Sequence, residues 1–116
     1  MYDLCCLGDL NVDVIVFPVD IVLHGHEQLV DKIYMTKGGV AANCACAAAS
    51  LGLKTVLLCR LPSDEVGEWL AKKVEGHGVE LRTSKSAKHA GITVALTQKR
   101  GQRTFIHTAA PIRISI

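Results

Sequence analysis

The stretch from Lys37-Gly38-Gly39-Val40-Ala41-Ala42-Asn43 to Gly52 constrains this chain more than any other. Two adjacent glycines lead into a run of small, helix-compatible residues, and Gly52 closes it. Glycine reaches backbone conformations denied to other residues and marks helix C′ positions, so the pattern predicts a strand end, a tight turn and a helix stopped at Gly52. With no Cβ at Gly38 or Gly39, a small polar molecule can lie against the main chain and the first helical N–H groups. Asn43 adds an amide that both donates and accepts. The same residues also suit a helix merely packed tightly against a sheet, and this stretch alone leaves both readings open.

A second element stands near the start. Tyr2-Asp3-Leu4-Cys5-Cys6-Leu7 is short, apolar and followed by Gly8, which predicts a strand buried on both faces of a parallel sheet. Asp9, Asn11 and Asp13 emerge after it, where open α/β sheets bind their ligands. A carboxylate and an amide two residues apart can pair with neighbouring hydroxyls of a sugar. Taken alone, Asn11 and Asp13 read as an Asx turn that serves only its own backbone.

Together, Gly8-Asp9-Leu10-Asn11-Val12-Asp13 and the Gly38-Gly39-x-x-x-Asn43 turn resemble the N-terminal part of the ribokinase-like (PfkB) family of carbohydrate and nucleoside kinases. The resemblance implies that Asn11, Asp13, Gly38, Gly39 and Asn43 hold the substrate hydroxyls. Val40 stands where some ribokinases carry a lysine, so no claim for ribose in particular follows. The implied fold class is α/β: a ribokinase-like parallel sheet with flanking helices and a small β lid, incomplete at the C-terminus. Residues 1–116 would be the N-terminal substrate-binding portion of such a kinase domain, with lid strands from about 14–37 and 91–108.

Between the two motifs, Val14 to Val22 is apolar but broken by Pro18 and Asp20, which predicts a short strand and a loop. His24-Gly25-His26-Glu27 reads as an exposed turn; no third ligand group lies near in sequence, so no metal site is assigned. Gln28 to Lys37 alternates imperfectly and predicts a strand that delivers the chain to Gly38. Beyond Gly52, Leu53 to Arg60 predicts a second buried strand, completing a right-handed βαβ crossover. Ser63 and Asp64 can cap a following helix, with Val66, Trp69, Leu70 and Val74 as its apolar stripe and Gly76 and Gly78 as its stop. The Asp64-x-x-Gly67 step and the later Gly78-Val79 also resemble the family. Residues 91–97 and 103–107 flank a turn containing Gly101, a β-hairpin by pattern. After it, Thr108-Ala109-Ala110-Pro111 departs from the family's closing Gly-Ala-Asn-like segment. Pro111 to Ile116 alternates like a terminal strand without a successor.

Composition limits the remaining classes. At 116 residues the chain holds one domain at most, and 49% hydrophobic with 21% charged residues is the balance of a globular protein with a core. A net charge of +2 gives no footprint for nucleic acid, and Lys99, Arg100 and Arg103 read as a solvated hairpin tip. No apolar run reaches the roughly 20 residues of a membrane span and no leader pattern opens the chain, so a cytoplasmic protein without membrane contact is expected. Cys5, Cys6, Cys44, Cys46 and Cys59 form no Cys-x-x-Cys pair and have apolar neighbours, which predicts buried free thiols.

Phosphoryl transfer needs a base, an anion hole and a nucleotide–magnesium site. The resemblance implies ATP and magnesium for the full-length family, from a later Gly-Ala-Gly-Asp motif that does not occur here, so no catalytic, cofactor or metal residue is assigned. The expected function is the substrate-binding half of an ATP-dependent carbohydrate or nucleoside kinase, with a sugar or nucleoside as partner. The alternative is a non-catalytic sugar-binding or protein-interaction module, with homo-oligomerisation through the lid strands. An NAD-binding unit is disfavoured, because Gly8-Asp9-Leu10-Asn11 is not a G-x-G-x-x-G turn.

Overall fold

The computed structural model describes residues 1–84 and 87–108. The expected terminal strand from Pro111 and the segment at Ala109–Ala110 lie outside the described residues. Nine elements follow one another: β1 (Leu4–Leu7), β2 (Asn11–Phe17), β3 (Lys32–Gly38), α1 (Val40–Ser50), β4 (Thr55–Arg60), α2 (Glu65–Glu75), β5 (Glu80–Ser84), β6 (Ile92–Thr97) and β7 (Arg103–His107). They make two sheets. The first is parallel throughout, in the order β1-β4-β5, and the second is mixed, in the order β3-β2-β6-β7. This is an α/β arrangement, a parallel sheet with flanking helices joined to a second β sheet, as the sequence motifs imply.

In the parallel sheet, β1–α1–β4 and β4–α2–β5 step across in one direction. Right-handed crossovers then bring both helices to the same face. Cys6, Leu57 and Leu81 on that face meet Ala42, Ala45 and Cys46 of α1 and Leu70 and Val74 of α2 in one core. The opposite face is open at β1, where Cys5 and Leu7 are exposed. The expectation of a strand buried on both faces is therefore corrected: β1 is covered on one side, because both helices lie there. The cysteines divide the same way. All five thiols are free, but only Cys6, Cys46 and Cys59 are buried, while Cys5 and Cys44 face outward. The alternation of a strand and the 100° step of a helix place neighbouring cysteines on opposite sides.

Both helices end as their sequences require. Leu53 N–H bonds to Ala48 O and Gly52 N–H to Ala49 O, with Gly52 at φ +91°, a Schellman closure of α1. Asp64 caps α2, accepting from Gly67 N–H at 2.9 Å. The apolar stripe of α2 keeps three of its four expected members: Leu70 and Val74 are buried and Trp69 is half-buried against the core, but Val66 is exposed and Gly67 takes its place inside. Gly67 takes the inward place because the Pro62 carbonyl lies against it, where any Cβ would collide.

The mixed sheet corrects two further expectations. Asn11 to Phe17 is one continuous strand, so Asn11 and Asp13 stand on a ladder and not in an Asx turn. The strand expected from Gln28 begins only at Lys32, because Gln28 is committed to the loop: its Oε1 accepts from Leu23 N–H at 2.7 Å and its Nε2 donates to Ile21 O at 2.9 Å. The hairpin β6–β7 turns at Gly101, whose φ is +90°, and Lys99 and Arg100 are exposed at its tip. Among the described residues, no helix is long and apolar enough to cross a membrane.

Candidate functional site

Three chain crossings between the two sheets meet at one place. β1 passes to β2 through Gly8-Asp9-Leu10, β3 passes to α1 through Gly38-Gly39, and the chain enters β6 through Ala90-Gly91. Leu10, only 2% exposed, and Ala90 are held in the core beneath these crossings. Above them opens a cavity of about 460 Å³. Its lining includes Asp9, Asn11, Asp13, Gly39, Val40, Asn43, Thr93 and His107.

Strand register explains which side chains arrive there. β2 is an inner strand of the mixed sheet, and Asp13 stands opposite Thr36 of β3 and Thr93 of β6. Thr93 in turn stands opposite His107 of β7. The row Thr36, Asp13, Thr93, His107 thus runs polar across one face of the sheet. The next row on that face, Tyr34, Ile15, Ala95, Phe105, is apolar. Asn11 lies two residues before Asp13 and therefore shares its face.

Glycines make room for this polar cluster. A Cβ at Gly38 would lie under 3.0 Å from all three atoms of the Asp13 carboxylate, and one at Gly91 would meet the Asn11 side-chain oxygen. Gly38 is buried and does not line the cavity, so it stands behind Asp13 instead of presenting backbone to a ligand. Gly39 does line it. Its φ of +105° belongs to glycine, and a side chain there would collide with the Asp9 carbonyl. That carbonyl accepts from Ala42 N–H at 3.3 Å, which matters because α1 has no side-chain N-cap. The positive end of the α1 dipole consequently opens beside the cavity.

Lys37 joins the two halves. Its Nζ donates to Asn43 Oδ1 at 2.9 Å. A lysine can only donate, so this contact turns the amide oxygen toward Lys37 and leaves Nδ2 as the free donor of Asn43. Burial pushes the carboxyl groups of Asp9 and Asp13 above the ordinary carboxylate range, and the Lys37 charge partly offsets this at Asp13. Asn11 Oδ1 is buried without a hydrogen-bond partner among the described residues. An acceptor in that state costs about 1–3 kcal/mol, which a hydroxyl or amide donor would recover.

Of the five residues assigned from sequence, Asn11, Asp13, Gly39 and Asn43 come together on the cavity, and Gly38 supports Asp13 from behind. The assignment did not include Asp9, Lys37, Gly91, Thr93, His107 and Thr108. Thr93 and His107 were within reach of the strand alternation, but only with the β2–β6–β7 order known. The turn at His24–Glu27 is exposed, and no group of three or more metal-ligating side chains occurs among the described residues.

The lining of the cavity is partly polar and includes acidic side chains. Two carboxylates line it, and each already resists ionisation in its partly buried setting. A nucleoside triphosphate placed there would add like charges, so the lining of this cavity does not fit the phosphates of ATP.

Residues 1–113 match the family model for pfkB family carbohydrate kinases. The ATP-dependent 6-phosphofructokinase of Thermoanaerobacterium thermosaccharolyticum is 26% identical over 105 residues, which make up 90% of this chain and 31% of that protein. Among solved structures, Arabidopsis thaliana ribokinase complexed with ribose and ATP aligns with a TM-score of 0.76 and 26% identity, over 92% of this chain and 36% of that one. Fructokinase from Xylella fastidiosa aligns with a TM-score of 0.68 and 24% identity, over 90% and 31%, a likeness of fold. The chain spans about a third of the length of these relatives.

Proposed function

The chain belongs to the pfkB family of carbohydrate kinases, and from that membership we propose that its cavity holds a sugar or nucleoside whose hydroxyl receives the γ-phosphoryl group of ATP. One observation carries the reading: Asn11 and Asp13 from β2 and Asn43 from α1 converge on one cavity with glycines cleared around them. A carboxylate accepts from two vicinal hydroxyls, the Asn43 amide donates to a ring or hydroxyl oxygen, and Asn11 accepts a third hydrogen bond. In this reading residues 1–116 are the substrate-binding portion, with β3-β2-β6-β7 as a lid from about 14–37 and 91–108. The nucleotide, magnesium and the catalytic base are supplied from outside the residues described.

The test is a thermal-shift and calorimetric screen of the purified chain with ribose, fructose and adenosine, since a ligand of the native state raises the melting temperature. Binding of one of the three, lost in Asp13→Ala, supports the reading. Equal binding by wild type and Asp13→Ala removes it.

Self-association through the lid is a second reading, favoured by one feature of the sheet. On the face opposite the polar row, Ile33, Met35 and Ile106 are all more than half exposed. Sedimentation of wild type against Met35→Glu decides it: a dimer that the variant dissociates is expected, and a wild-type monomer at all concentrations refutes it.

A further inference from the structure

The cysteines divide into an inner and an outer set, and one member of each set meets the other. Cys6 on β1 and Cys44 on α1 line a second cavity of about 370 Å³, together with Gly8, Asp9, Val40 and Ala41. The two cysteines are brought to this one cavity from packed, facing elements. The approach of the two elements is close here: a Cβ on Gly8 would lie 2.9 Å from the Ala41 Cβ. Cys44 is exposed and reachable by a soluble oxidant, whereas Cys6 is buried behind it. Asp9 and Val40 line this cavity and the sugar cavity alike, and Cys44 directly follows Asn43.

We propose that Cys6 and Cys44 form a redox-responsive dithiol whose closure to a disulfide weakens ligand binding in the adjoining cavity. The oxidant is a small disulfide such as oxidised glutathione. The Cys44 thiolate attacks one glutathione sulfur, breaking its S–S bond and releasing one glutathione thiolate. Cys6 then loses its proton, attacks the Cys44 sulfur and releases the second glutathione. Two protein thiols are oxidised by two electrons, and one glutathione disulfide is reduced to two thiols. Exposure makes Cys44 the entry point. Burial foremost, with the neighbouring Cys44 and Cys5, pushes the Cys6 thiol up, which makes it the poorer first attacker and leaves the opening step to Cys44.

Closure must bring the two sulfurs to the S–S length of about 2.05 Å. β1 is pinned in the parallel sheet, so the first turn of α1 makes most of that movement. It carries Asn43 and the Gly39 amide with it. The coupling to ligand rests on the sugar-site reading, but formation of the disulfide does not.

The experiment treats the full chain with oxidised glutathione and maps it without reduction after trypsin. Cys5 and Cys6 fall in the peptide 1–32, and Cys44 and Cys46 in the peptide 38–54. The expected result is a cross-link between these peptides and an intact mass lower by about 2 Da. It persists in Cys5→Ser and Cys46→Ser and is lost in Cys6→Ser and Cys44→Ser. Affinity for whichever of ribose, fructose or adenosine binds the reduced chain falls by roughly 5- to 10-fold on oxidation, the worth of about one hydrogen bond, and dithiothreitol restores it. Glutathione retained on Cys44 without a cross-link, or a cross-link that survives Cys6→Ser, overturns the dithiol. A correct cross-link with unchanged affinity overturns its coupling to the site. If the reduced chain binds none of the three, the sugar-site reading fails, while the peptide map still decides the dithiol.

Discussion

Gly38→Ala separates a glycine that makes room for a carboxylate from one that merely turns the chain. The new Cβ would lie under 3.0 Å from Cγ and both oxygens of Asp13, a distance that real Cβ atoms essentially never show. β2 cannot retreat as a whole, because it is hydrogen-bonded to β3 on one side and β6 on the other. The Asp13 side chain must therefore leave its position, and an off-rotamer retreat costs about 0.5–1.5 kcal/mol. Overpacking costs typically about 1–3 kcal/mol, while replacing a strand glycine by alanine returns about 0.5–1 kcal/mol. The net loss of stability is on the order of 1 kcal/mol, and the fold survives. Binding suffers more. One hydrogen bond to a charged group is worth about 1.5–3 kcal/mol, so losing it raises Kd roughly 10- to 150-fold. Calorimetric titration with the sugar or nucleoside that binds wild type, alongside urea unfolding, reads both quantities. Wild-type affinity in Gly38→Ala, with affinity abolished in Asp13→Ala, would refute the argument that Gly38 exists to seat the carboxylate.

The carboxyl groups of Asp9 and Asp13 are raised in the folded state, so between their unfolded and folded values the native protein binds more protons than the unfolded chain. Stability from these groups is accordingly highest at or below the unfolded value of about 3.9, falls as pH rises through the raised values and then levels off. Asp9→Asn should melt higher than wild type above that window and converge with it below, in melting curves collected across pH. Leu70 is fully buried between α2 and the sheet, and Leu70→Ala should cost about 2–5 kcal/mol in urea unfolding. Burial, reinforced by the Asp9 charge and eased by a hydrogen bond with Thr83, pushes the Cys59 thiol up to about 11. Ellman's reagent at pH 8 should consequently label exposed Cys5 before Cys59, as read by peptide mapping.

Local chemistry made the helices and the hairpin legible. Gly39 and Gly52 bracket α1, Asp64 and Gly76 bracket α2, and the turn at Gly101 joins two β-branched runs, each a signal contained within a few residues. The site was half legible for a related reason. Asn11, Asp13 and Asn43 stand in short motifs, whereas Thr93 and His107 reach the cavity only because β6 lies parallel to β2 and β7 antiparallel to β6. That pairing spans some eighty residues of sequence, and alternation within one strand cannot reveal which strand lies beside it. The exposure of Cys5 and Leu7 failed to read from sequence on similar grounds. An apolar run states that a strand tolerates burial, and the direction of two crossovers decides which face receives the helices.

The seam between the sheets accounts for the spacing of the motifs. Asp9, Gly39 and Asn43 belong to the ends of β1 and α1, while Asn11, Asp13, Thr93 and His107 belong to the second sheet. Each crossing is short and contains a glycine in close contact: Gly8 against Ala41, Gly39 against Asp9, Gly91 against Asn11. Larger residues at these points would hold the sheets apart and widen the gap between the two groups of donors and acceptors. The Lys37–Asn43 hydrogen bond spans the same seam from the end of β3 to the first turn of α1. Positioning of the polar groups thus depends less on the interior of either sheet than on these few contacts, and substitutions at Gly8, Gly39 and Gly91 should disturb ligand affinity while the hydrophobic core of α1, α2 and β4 stays intact.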